Sequence, residues 1–142
     1  MSRGRRVVRA RPLALPVVFA LASALAGCGE GDGTTDPAFS PTVSSVVDTF
    51  RLAATATTPV TRALSYTFRN TGAAATVEQA SAVTAGSAFV VLRDSTGTLL
   101  YSKDLSQAGT FASFAGEPGT WRVEISLADV TGSLDFEVRR KP

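Results

Sequence analysis

Leu64-Ser65-Tyr66-Thr67-Phe68-Arg69 places an apolar side chain on every second position and runs into the turn chemistry of Asn70, Thr71 and Gly72. Successive side chains of a strand point to opposite faces, so this alternation sends Leu64, Tyr66 and Phe68 to a core and Ser65, Thr67 and Arg69 to water. The same period returns in Trp121-Arg122-Val123-Glu124-Ile125-Ser126-Leu127 and in Leu134-Asp135-Phe136-Glu137-Val138-Arg139. Asp129, Val130, Thr131 and Gly132 separate those two runs and predict an antiparallel hairpin. Trp121 alternates with Val123, Ile125 and Leu127, which makes it a core residue and not an exposed ligand platform.

Other strands follow on either side. Ala88, Phe89, Val90, Val91 and Leu92 are an unbroken apolar run, expected to be covered on both faces or central in its sheet. Asp94, Ser95, Thr96 and Gly97 supply a turn, and residues 99–103 return as the second arm of a hairpin. Tyr101 is not assigned to a face, because Leu99 and Leu100 are apolar on both. Residues 49–56 and 74–83 are weaker strands. About seven strands in roughly 100 residues, at sandwich-like spacing, predict an all-β antiparallel β-sandwich, with an open β-barrel as the alternative. Nothing after residue 28 sustains a helical apolar stripe, although residues 105–114 have room for a short turn.

The N-terminus carries different information. Arg3, Arg5, Arg6, Arg9 and Arg11 precede an uncharged apolar stretch, residues 13–24, which is too short for a membrane span of roughly 20 residues. Leu25, Ala26, Gly27 and Cys28 follow directly, and Cys28 is the sole cysteine. An ordinary secretory signal would leave that thiol free in an oxidising compartment, where it can pair only with another molecule. The tetrapeptide resembles the lipobox of bacterial lipoproteins. The resemblance implies cleavage before Cys28, a diacylglycerol on its thiol, and a membrane-attached protein in the cell envelope. It also favours the outer membrane where one exists, because Gly29 and not an aspartate follows the cysteine. The twin-arginine route fits less well, since the flanks of Arg5 and Arg6 depart from that motif.

The expected organisation is a signal peptide over 1–27, a lipidated cysteine and flexible tether over 28–41, and a β-sandwich over 42–142. The tether reading rests on Gly29, Gly31, Gly33, Pro37 and Pro41 without apolar periodicity. Five of the 14 basic residues leave with the leader, so nine face 12 acidic ones and the net charge turns from +2 to −3. The mature chain then has no basic run except Arg139, Arg140 and Lys141, and nucleic acid is not an expected partner.

Residues for chemistry are scarce. The chain has no histidine, which removes the commonest neutral-pH base and metal ligand. Ser102 and Lys103 are neighbours and so face opposite sides of a strand. Asp135 and Glu137 share a face, but Arg122 and Glu124 on the expected neighbouring strand make a charge ladder the simpler reading. Asp94, Ser95, Thr96 and Asp104 around one hairpin suggest a calcium site, although Asp94 and Gly97 are also what an ordinary turn requires. No catalytic residue, cofactor or metal is therefore assigned.

From Phe89 to Arg139 the chain resembles the small immunoglobulin-like β-sandwich modules of exported bacterial proteins. That likeness rests on an apolar strand, the Asp94–Gly97 turn, Tyr101, Trp121 and Phe136, without the cysteine pair of antibody-type domains. Three functions are expected in descending order: a non-catalytic interaction or structural domain held at the membrane, whose partner is an envelope protein or glycan; a glycan- or peptide-binding module; and a hydrolase. The second would use the loops at residues 57–61, 109–119 or 128–132, with Phe111, Phe114 or Tyr101 clustered at the surface. The third needs acids converging in a pocket.

Overall fold

The computed structural model describes residues 39–142; the leader, the lipobox and Cys28 lie outside the described residues. Seven antiparallel strands form one open sheet, and it does not close into a barrel. They are β1 (Thr42–Val46), β2 (Thr49–Asn70), β3 (Ala75–Gln79), β4 (Ala82–Arg93), β5 (Leu99–Asp104), β6 (Gly109–Ala112) and β7 (Gly119–Arg140).

β2 and β7 each contain 22 residues and pair with one another from Thr49↔Arg139 to Asn70↔Gly119. Straight strands of that length would reach roughly 70 Å. Instead the ends of β2 meet, for the Asp48 amide donates to the Arg69 carbonyl at 2.7 Å. Phe50 and Phe68, 18 positions apart, bring their ring centroids to 6.1 Å. Both strands therefore double back and the sheet folds into two facing layers, which is how an open sheet becomes a sandwich. One layer holds β1, the first half of β2, the second half of β7, β3 and β6. The other holds the second half of β2, the first half of β7, β4 and β5.

The fold line has a local cause. Register shifts interrupt the β2–β7 ladder between Ala56 and Val60 and between Val60 and Arg62. Opposite them, Asp129 (φ 51°) and Gly132 (φ 115°) hold positive φ on β7. Bulges of this kind bend a strand and increase its twist. Residues 129–132 are thus not a hairpin turn: β7 runs through them as one bent strand paired with β2 on both sides, and the inward set shifts from Trp121, Val123, Ile125 and Leu127 to Val130, Leu134, Phe136 and Val138. Gly132 is required here, because a Cβ would stand 2.2 Å from the Ala82 carbonyl oxygen of β4.

Two expected strand pairs are consequently single strands, while β1 and β6 had no periodic signal. Residues 74–83 divide at Ala80 and Ser81, where the Ala80 amide and the Ser81 hydroxyl both donate to the Asp135 carbonyl. The core lies between the layers around Trp121, Phe50, Phe136, Leu52, Leu92 and Ile125, all below 2 % exposed. Phe50 centres an aromatic cluster with Tyr66, Phe68 and Phe136, and Phe68 meets Trp121 edge-on. Phe39 is 1 % exposed and bridges Ala56, so the domain begins inside the stretch assigned to the tether.

Tyr101 and Leu100 are both buried, because a bulge pairs Leu92 with Tyr101 and Arg93 with Leu99 and turns two successive side chains inward. The residue 88–92 strand is central in its layer between β5 and β7, as expected, but only one face is covered. Phe89 on the other face is 44 % exposed.

Candidate functional site

The two ends of the sandwich differ chemically. At the folded end, residues 57–61 and 128–132 belong to the bent strands and are tied together: the Asp129 amide donates to Thr61 Oγ1, and Thr61 Oγ1 donates to Asp129 Oδ1. Thr84 and Thr131 share a hydrogen bond beside them. The chain enters at this end through Phe39, with the Arg62 guanidinium 6.0 Å from its ring centroid.

The opposite, open end gathers four of the six connections between the described strands, those of β1–β2, β2–β3, β4–β5 and β6–β7. Amides of Ser113, Phe114 and Gly116 donate to the carbonyls of Ala75, Leu100 and Ala73, and Arg140 and Lys141 amides to those of Asp48 and Ala74. The segment after β6 therefore straps across the open end, so the three loops of the glycan or peptide reading are divided between the two ends. Val46, Val47, Leu99 and Phe114 are exposed at the open end, Phe114 by 78 %. The aromatic cluster that reading needs does not form. Tyr101 donates its hydroxyl inward to Gln79 Oε1 at 3.1 Å, and burial pushes its pKa up to about 12. Phe111 packs against the core beneath the Lys103 ammonium, 4.1 Å from its ring centroid.

Asp94 is the most engaged carboxylate. Its Oδ1 accepts from the amides of Thr96 and Thr98 and the Thr96 hydroxyl, and its Oδ2 accepts from the Glu117 amide at 2.9 Å. These donors, the Glu117 amide foremost, hold its pKa down to about 2. The same strap fixes the core tryptophan, whose Nε1 donates to the Glu117 carbonyl at 2.8 Å. Asp104 lies at the far end of the β4–β5 hairpin, paired with Phe89, and caps its own turn through Ser106. The calcium reading fails on this placement: the two acids are a strand length apart and Asp94 is saturated by its own loop. No cluster of three acidic side chains suited to a metal occurs among the described residues.

Asp135 and Glu137 share the outer face of the first layer, as expected, but Arg122 and Glu124 are not their partners. Without a hairpin at 129–132, β7 pairs with β2 and β3, which sets Arg51 and Glu78 beside Glu137. Arg51 bonds Asp135 at 3.1 Å and Arg139 bonds Glu137. These acids and arginines line a shallow depression with Thr110. The Arg139 hydrogen bond lowers the Glu137 pKa, so this carboxyl is held ionised. A general acid needs the opposite shift.

Arg122 and Glu124 occupy the other layer, where Glu124 takes Arg93 Nε at 3.2 Å and Arg122 Nη1 at 3.8 Å. The sequence offered no way to place Arg93 there, because cross-strand register is not written in either strand alone. Asn70 is fully buried: its Oδ1 accepts from the Gly72 amide, while its Nδ2 has no partner among the described residues. No protein-family model matches the chain, and no curated protein matches it either.

Proposed function

We infer that this protein is a lipid-anchored envelope protein whose β-sandwich is a non-catalytic interaction domain presented on a tether. In this reading the leader is removed before Cys28, the thiol carries the lipid, and the domain meets its partner through the open end. The observation that supports it is an opposition of ends. The chain enters beside Ala56 at the folded end, whereas Val46, Val47, Leu99 and Phe114 are exposed at the other. A domain hung from Phe39 turns its hydroxyl-rich folded end toward its own anchor and its apolar rim outward. Singly exposed apolar side chains are ordinary, but four at one end form a surface that association would bury.

Two measurements test this. Cys28→Ala is expected to release the protein from the membrane fraction and change its mobility; unchanged association and mobility would refute the anchor. Photo-crosslinkers placed at Val47 or Phe114 in cells should yield adducts that one at Thr58 does not. Equal capture from Thr58 would remove the open end from the account.

A further inference from the structure

We propose that Thr57 is an acceptor for an O-linked sugar, on an exposed bulge at the folded end. Thr55, Thr57, Thr58 and Thr61 fall within one short stretch that also holds Pro59. Threonine interspersed with proline is the composition of O-glycosylated segments. Here the backbone singles out which hydroxyls an enzyme can reach. β2 leaves the β7 ladder after Ala56 and rejoins it at Val60, so residues 57–59 have no partner on β7, and all three are exposed. Proline has no amide to give a ladder and holds the residue before it extended. Thr57 and Thr58 therefore stay strand-like while standing outside the β2–β7 pairing, and an extended segment with accessible backbone is the form in which a peptide enters another protein's groove.

The neighbouring hydroxyls are engaged. Thr61 both donates to and accepts from Asp129, and Thr84 and Thr131 bond each other. Those of Thr57 and Thr58 have no hydrogen-bond partner among the described residues. Their surroundings separate the two. Thr57 borders a depression on the outer face of the first layer, together with Ser40, Thr42, Thr55 and Ser133, and Thr58 is not part of that lining. A sugar ring carried by Thr57 would lie over these hydroxyls, each of which can donate to and accept from the hydroxyls of the ring. Asp135, the charged residue at the margin, is already held by Arg51.

In the transfer, Thr57 Oγ1 attacks the anomeric carbon of a sugar activated as a phosphate ester on a nucleotide or a lipid. A bond forms between that carbon and Oγ1, the bond from the carbon to the phosphate oxygen breaks, and the phosphate leaves with the electron pair. The hydroxyl proton passes to a base of the transferase. The site is independent of the lipid anchor and of the open end.

The protein purified from the cells that naturally make it tests the assignment, through the mass of the tryptic peptide 52–62 that Arg51 and Arg62 delimit. A sugar-sized increment, placed on Thr57 by fragmentation of the peptide, is expected. Thr57→Val should abolish the increment, Thr57→Ser should keep it because the hydroxyl remains, and Thr58→Val should leave it in place. A peptide found only at its unmodified mass, an increment that survives Thr57→Val, or one that disappears from Thr58→Val would overturn the proposal.

Discussion

Gly132→Ala tests the claim that the sandwich exists because β7 bends against β4. At φ 115° an alanine is strained, at a cost of about 1–3 kcal/mol. Its Cβ would also stand 2.2 Å from the Ala82 carbonyl oxygen and 2.9 Å from the Thr84 nitrogen. Both are backbone atoms of β4, so relief requires the strands to separate, adding about 1–3 kcal/mol. The expected loss is about 2–6 kcal/mol, a large part of the 5–15 kcal/mol typical of whole-protein stability. Gly97→Ala is the matched control. It has φ 88° in the Asp94 turn, but a Cβ there meets nothing within 4 Å, so only the backbone cost of about 1–2 kcal/mol remains. Urea unfolding of the soluble chain, residues 29–142, should place the Gly132→Ala midpoint clearly below that of Gly97→Ala. Equal losses would show that close approach of β4 to the bend is not what confines position 132 to glycine.

Two further outcomes follow from the buried polar groups. Asp94 has a folded-state pKa lowered to about 2 against an ordinary value near 4, so its contribution is complete above about pH 4 and is lost as pH falls through about 2. Asp94→Asn should flatten the fall of urea midpoints over that window, and an unchanged pH profile would assign the acid sensitivity to other carboxylates. Tyr101→Phe leaves Gln79 Oε1 without its donor at a residue only 3 % exposed, and should cost about 1–3 kcal/mol in the same assay. A loss below about 0.5 kcal/mol would mean that the amide finds another donor.

Much of the architecture was legible. Alternation at Tyr66 and Phe68, and at Trp121, Val123 and Ile125, gave both the strand class and the inward face, because burial of one strand face imposes a period of two wherever the strand is straight. Tyr101 was illegible for the complementary reason: its bulge places two successive residues on one face. The Arg93–Glu124 ion pair was illegible too, since the two residues sit in β4 and β7 and only the pairing of those strands brings them together. The count of seven was met by different strands, two mergers balancing the unforeseen β1 and β6.

The sequence by itself determined the all-β class, the inward residues of each regular run, the scarcity of catalytic side chains, and the lipobox-like context of Cys28. Those are properties of local chemistry, fixed by residue type and spacing over a few positions. The tertiary structure alone decided that residues 129–132 bend a strand where a hairpin was expected, that Asp94 and Asp104 stand apart, that Asp135 and Glu137 meet Arg51 and Glu78, and that Phe39 and the apolar rim lie at opposite ends. Each of these depends on which strand lies beside which. Asp129, Val130, Thr131 and Gly132 suit a tight turn and a bulge equally well, and it is the continuous pairing of β7 with β2 on both sides of them that selects the bulge.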